Sequence, residues 1–170
     1  MTCALSGLYC FVVTNNKSKS EDTQIMRTDT PQTPPKTIYL KDYTPAPFLV
    51  EHVDLSFDIF EEKTIVVSKV QYKKNPDGVS SDLVLNGQDQ KLVHVKIDGE
   101  NVLEGAYTLS DDKMTLPNMP DVFTLEITTE IDPAANTALE GLYKSQGNYC
   151  TQCEAEGFRR ITFYQDRPDV

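Results

Sequence analysis

From residue 48 onward the chain alternates between apolar and polar positions. In residues 48–60, Val53, Leu55, Phe57 and Ile59 fall on one face, with Glu51, Asp54, Ser56 and Asp58 around them. A period of two is that of a strand with one packed and one wetted face. Residues 64–72 (TIVVSKVQY) are dense in β-branched side chains, and Asn75-Pro76-Asp77-Gly78 supplies the turn that follows. A short apolar strand at 83–85 ends at Asn86-Gly87. Residues 92–97 alternate again and reach Asp98-Gly99, a hairpin signal leading into Val102-Leu103. Two further short strands are predicted at 107–109 and 114–116, the second closed by Pro117. The longest alternation, 122–131, places Phe123, Leu125 and Ile127 on one side and stops at Asp132-Pro133.

No segment shows helical periodicity over three turns. Short strands separated by turn chemistry predict an all-β fold, an antiparallel β-sandwich whose sheets each have one packed and one wet face. Residues 15–36 are different: Ser, Thr, Lys and Asp dominate, with Pro31, Pro34 and Pro35 near the end. Such a stretch has too little apolar surface to offset the entropy of ordering. The organisation expected is a flexible or disordered arm over 1–36 and one folded domain over 37–170. A domain of that size buries about two thirds of its unfolded surface, enough for a core of its own.

Charge narrows the partners. Sixteen basic against 26 acidic residues give a net charge of −10, which argues against nucleic acid, since phosphate neutralisation needs a basic surface. No apolar run reaches the length of about twenty residues that a membrane-spanning helix requires. Residues 3–13 (CALSGLYCFVV) are apolar, but no Lys or Arg precedes them and no small-x-small site follows. They make a poor secretory signal, so a cytoplasmic location is expected, with an N-terminal targeting peptide as the alternative. The sequon Asn16-Lys17-Ser18 would matter only in a secreted chain. Cys3, Cys10, Cys150 and Cys153 do not make a disulfide framework for a chain this long; reduced thiols are the default.

The candidate chemistry is concentrated in residues 141–170. Cys150-Thr151-Gln152-Cys153 has the spacing of half a zinc ribbon or of a redox pair. The first needs a second Cys or His pair, which the sequence lacks, and the second normally opens a helix. Plain buried or loop thiols are the simpler reading. Glu154 and Glu156, two apart on what reads as an extended segment, would share one face. They could work as an acid–base pair, or one could point to solvent or pair with Arg159 or Arg160. Arg159, Arg160, Asp166, Arg167 and Asp169 form either a recognition patch or local ion pairs that fix a turn at 166–169. His52 and His94 lie in separate strands and read as partly buried side chains, not ligands.

Residues 151–159 (TQCEAEGFR), with NTALEGLY at 136–143 and ITFYQDRPDV at 161–170, resemble the M1 family of zinc aminopeptidases, in its bacterial-type aminopeptidase N branch. Tyr39-Leu40-Lys41-Asp42-Tyr43 and the Pro-containing segment after it look like that branch's opening strand, so the similarity runs over 37–170. The resemblance implies a β-sandwich resting on a thermolysin-like catalytic domain, with a Gln-x-Glu loop reaching the active site. Carried over by position, Gln152 would line the pocket for the substrate's first side chain, and Glu154 would hold its free α-amino group. A carboxylate suits an ammonium, since such a charge-assisted hydrogen bond is worth about 1.5–3 kcal/mol.

The family's His-Glu-x-x-His and Gly-Ala-Met-Glu-Asn motifs do not occur in these 170 residues. A catalytic zinc needs three protein ligands and an open position, so the zinc would belong to the catalytic domain of the parent enzyme, with no metal site in this chain. The expectation is an N-terminal fragment of a zinc aminopeptidase, inactive alone. It would bind the N-terminus of a peptide and dock on the catalytic domain through an exposed apolar face. The alternative is a stand-alone, non-catalytic sandwich that binds a peptide or a protein. A secreted adhesion-type sandwich would need a real signal peptide and paired cysteines, and has neither.

Overall fold

The two longest alternating runs become the middle of one sheet. A computed structural model describes Thr37 and residues 39–170. In it β1 (Phe48–Ile59) and β2 (Thr64–Lys74) form a long hairpin, and β2 pairs in turn with β8 (Val122–Ile131). β4 (Lys91–Ile97) and the two-residue β5 (Glu100–Asn101) complete an antiparallel sheet of order β1-β2-β8-β4-β5. The period of two decides what is buried. Thr64, Val66, Ser68, Val70 and Tyr72 face inward from β2, and Phe123, Leu125, Ile127, Thr129 and Ile131 from β8.

One face of this sheet is covered twice. Over one end lies a three-stranded sheet of order β3-β7-β6, made of β3 (Leu83–Asn86), β6 (Thr108–Leu109) and β7 (Lys113–Leu116). The two layers share a core of Phe48, Tyr72, Leu83, Leu85, Met114, Leu116 and Leu125 among others, which makes the fold an antiparallel β-sandwich. The Tyr72 ring stacks on Phe123 at 5.2 Å, and Phe48 meets Phe123 edge-on at 5.4 Å. Each such pair adds about 0.5–1.5 kcal/mol beyond its buried area.

Over the other end lies the hairpin of β9 (Gly141–Ser145) and β10 (Asn148–Gln152). Its turn residues Gln146 and Gly147 both have positive φ, 48° and 84°, the backbone that matches the twist of a two-residue hairpin. Beneath it Val66, Ile131, Leu142 and Ile161 make a second, smaller core, with Phe57, Tyr149, Cys153 and Phe158 packed against it.

Four local expectations are corrected. Residues 39–43 do not form a strand. They make a 3-10 turn, Leu40–Asp42, closed by hydrogen bonds from Asp42 N to Tyr39 O and from Tyr43 N to Leu40 O. Every residue of the turn is exposed, so no partner strand holds it extended. After Asp98-Gly99 the return strand is Glu100–Asn101, not Val102-Leu103; Val102 N still donates to Val95 O, but Leu103 is exposed as the chain leaves the sheet. His52 and His94 are exposed and not partly buried, because their strands turn them to the wetted side. There His52 Nε2 lies 3.1 Å from Asp54 Oδ1 and His94 Nε2 lies 2.7 Å from Asn101 Oδ1. The turn at the end runs one residue later than expected, with Val170 N donating to Arg167 O and Pro168 in the second position.

The expected arm over 1–36, the apolar run 3–13, the Asn16 sequon, Cys3 and Cys10 lie outside the described residues. Among the described residues no helix is long and apolar enough to cross a membrane.

Candidate functional site

The site begins where β10 ends. Gln152 is its last residue and pairs with Gly141, the first residue of β9. The chain then turns through residues 154–157 and enters a single 3-10 turn, Phe158–Arg160. Gly157 N donates to Cys153 O at 3.0 Å and closes the bend. The peptide bond between Glu154 and Ala155 is cis.

Two glycines let this bend lie flat on the hairpin. A Cβ on Gly157 would stand 2.5 Å from Gln152 O and 3.1 Å from both Cys153 Cα and Gly141 N. Gly141, at φ +69°, has Arg160 Cβ on its other side, 2.7 Å from where its own Cβ would be. Both glycines are buried, and a side chain at either would separate layers that now touch.

The bend sorts its side chains. Gln152 and Glu154 are exposed, and neither side chain has a hydrogen bond or an ion pair among the described residues. Cys153, between them, packs inward on the smaller core. Glu156 does not share a face with Glu154 on an extended segment, as the sequence suggested, because the chain is turning there. Its carboxylate lies 3.2 Å from Arg159 Nη2, and of the open readings this is the ion-paired one.

The charged residues beyond the bend are consumed in holding it. Arg159 donates from its backbone N and from Nε to Asp166 Oδ2 at 3.1 and 3.0 Å, and from Nη2 to Asp166 O at 3.1 Å; Asp166 is buried. The Arg159 carbonyl accepts from Gln88 N and from Gln90 Nε2, at 2.9 and 3.0 Å. Arg160 reaches Glu140 and Asp89. Arg167 donates to both carboxylate oxygens of Asp169 and to Thr44 O, and Tyr43 donates its hydroxyl to Asp169. The Arg167 hydrogen bonds hold the Asp169 carboxyl below its ordinary range, and the bond to Asp169 pushes the Tyr43 hydroxyl up. Local ion pairs, not a recognition patch, describe this set.

Beside the bend an open cavity of about 430 Å³ has Val50, Val53, Phe158 and Tyr164 among its lining. Tyr164 packs edge-on against Phe158 at 4.7 Å, and burial, with Asp166 nearby, pushes its hydroxyl up to about 12. Cys150 and Cys153 are partly buried thiols of the hairpin and the bend. Among the described residues no group of three or more His, Cys, Asp and Glu is placed to hold a metal ion. What the site displays is a carboxylate and an amide side by side on a braced turn.

Sequence reasoning reached Gln152 and Glu154 but not their supports. Gly141 and Gly157 were visible as glycines flanking the motif, which is the one signal that could have marked them. The Arg160 pairs span 20 and 71 residues, and nothing local announces them.

Comparison with known proteins gives a consistent picture. Residues 49–170 match the model of the Peptidase M1 N-terminal domain. Aminopeptidase N of Caulobacter vibrioides is 46% identical over 145 residues, which is 85% of this chain and 16% of that protein. Aminopeptidase N of Escherichia coli is 47% identical over 137 residues, 80% of this chain and 15% of that protein. The chain thus spans about one sixth of the length of the curated relatives it matches. Among solved structures, aminopeptidase A of Legionella pneumophila, in complex with aspartic acid, superposes with a TM-score of 0.70 at 34% identity, covering 76% of this chain and 16% of that one. The M1 zinc metallopeptidase of Deinococcus radiodurans superposes with a TM-score of 0.58 at 15% identity, over 74% of this chain and 30% of that one, and shows the fold alone.

Proposed function

The chain belongs to the M1 peptidase family, as an N-terminal domain of it, and from that premise we propose that it supplies the amine-recognition part of a zinc-dependent aminopeptidase. Glu154 accepts hydrogen bonds from the α-ammonium of a peptide, and Gln152 lines the pocket for the first side chain. The observation that carries this reading is the Glu154 carboxylate itself, exposed and without a partner on a turn whose every other charged side chain is paired.

A free carboxylate on a mobile loop would bind an ammonium and specify nothing. Here the turn is fixed by Gly157 beneath it, so the carboxylate has a set height above the hairpin. An amine held there places the first peptide bond at one distance from the anchor, and one residue is released per cut. Blocking the amine removes the donor and leaves the carboxylate unmatched, which favours free N-termini.

The cleavage chemistry lies outside this chain in our reading. The zinc named for the Deinococcus relative has no donor set among the described residues. The catalytic part would cover the apolar cavity over Val50, Val53, Phe158 and Tyr164. A cytoplasmic location belongs to the same proposal and rests on the weakness of residues 3–13 as a secretory signal.

The test is Glu154→Ala in the full-length enzyme that carries this chain. Loss of a charge-assisted hydrogen bond worth about 1.5–3 kcal/mol corresponds to a drop of about 10- to 150-fold in kcat/KM on an alanyl or leucyl substrate. An unchanged kcat/KM would sink the assignment.

A further inference from the structure

We infer that Arg160 is the positioning residue of the amine-recognition turn, fixing where Glu154 stands without touching substrate. The inference rests on the reading of Glu154 given above. The Arg160 side chain is 13% exposed, although those of its two partners, Glu140 and Asp89, are 50% and 73% exposed. It is tucked beneath them as a tie between two separate segments. Its Nε donates to Glu140 Oε2 at 3.1 Å, and its Nη1 donates to Asp89 Oδ2.

Both anchor points are themselves held. Asn136 Nδ2 donates to Glu140 O at 2.7 Å and to Leu142 O at 2.9 Å, which brackets Gly141. Asp89 sits at φ 52°, between Gln88 and Gln90, the two residues that grip the Arg159 carbonyl. Arg160 N also donates to Gly157 O at 3.2 Å.

From these anchors a run of close contacts leads to the site. No step of this run has room for a side chain: a Cβ on Gly141 would stand 2.7 Å from Arg160 Cβ, and one on Gly157 would stand 3.1 Å from Gly141 N and 2.5 Å from Gln152 O. Contacts without slack transmit displacement, because a close-packed interior does not deform continuously. The carboxylate two residues beyond Gln152 takes its height from this stack. A shift on the order of 1 Å in such a group can cost about a hundredfold in rate. Arg159 differs: its pairs with buried Asp166 hold the 3-10 turn to the chain that follows it and do not reach Gly141.

Arg160→Met keeps the aliphatic stem over Gly141 and removes both ion pairs. In the 170-residue chain we expect amide hydrogen exchange at residues 152–157 to quicken by about tenfold, with β2 and β8 amides unchanged. In the full-length enzyme we expect KM for an alanyl substrate to rise by about tenfold with kcat within about threefold, and Arg160→Lys to recover part of the loss. Where Arg160→Met does not accumulate as folded protein, Glu140→Gln with Asp89→Asn removes the same pairs from their exposed side. Unchanged exchange at 152–157 overturns the inference. So does an unchanged KM beside a raised KM in Glu154→Ala. Faster exchange with KM unmoved in both Arg160→Met and Glu154→Ala overturns it as well, and puts the failure in the amine reading and not in the brace.

Discussion

Gly157 presses on the carbonyl oxygen of Gln152 so closely that a Cβ added to it would stand 2.5 Å away. The other nearest atoms, Cys153 Cα and Gly141 N, are backbone too, so no flexible side chain can swing aside. Gly157→Ala is therefore expected to lower stability by about 1–3 kcal/mol, the usual cost of overpacking, and to lift the turn that carries Glu154 off the hairpin. Urea denaturation checks the first effect. Gly147→Ala is the comparison, because there the added methyl meets nothing within 4 Å and only the φ of +84° resists it. Gly157 itself lies at φ −82°, where alanine is unstrained, so an unchanged urea midpoint for Gly157→Ala would mean that its close contacts do not hold the turn.

Tyr72 gives a prediction of the opposite sign. Its side chain is fully buried, its ring stacks on Phe123, and its hydroxyl has no hydrogen-bond partner among the described residues. A buried hydroxyl without a partner costs about 1–3 kcal/mol in desolvation. Tyr72→Phe removes that cost and keeps the stack, so denaturation should require more urea by an amount equal to about 1 kcal/mol. A loss of stability would show that the hydroxyl is bonded in solution.

Alkaline pH tests Tyr164. Its hydroxyl ionises at about 12 in the folded chain, against about 10 when unfolded. The unfolded state therefore gives up the proton first as pH rises. Stability is complete below about pH 10 and falls from there through pH 12. Tyr164→Phe should flatten this limb of the pH–stability profile, measured by urea midpoints across the range. A profile as steep as that of the parent chain would assign the titration to Tyr72, whose hydroxyl burial pushes well above the ordinary value.

What could be read in advance follows from how locally each feature is encoded. β8 was legible because its inward side chains recur at every second position, from Phe123 to Ile131, and a register slip would expose all of them. The motif around Gln152 and Glu154 was legible as a string of residue types. The strands that deliver it were not marked, since β9 and β10 are five residues each and mix Tyr, Lys, Asn and Cys without clean alternation. The pair Gln146-Gly147 held the missing turn signal. Residues 39–43 were expected as a strand through the resemblance, but a strand needs a neighbour, and none stands beside them among the described residues. The ties from Arg160 join residues that only the finished fold brings together.

The outermost strand of the long sheet has a consequence for how the molecule behaves in company. Among the described residues no strand pairs with the outer side of β1, and such an edge invites a strand from another molecule. Glu51, Asp54 and Asp58 stand along it, and a bulge between Val50 and His52 interrupts its register. Charge and bulge together keep a second copy from zipping on at neutral pH. The protection lies in these side chains, so replacing Glu51, Asp54 and Asp58 with threonine withdraws most of it while the strand stays in place. The edge should then become a seam for self-association, and folded chains would join through it.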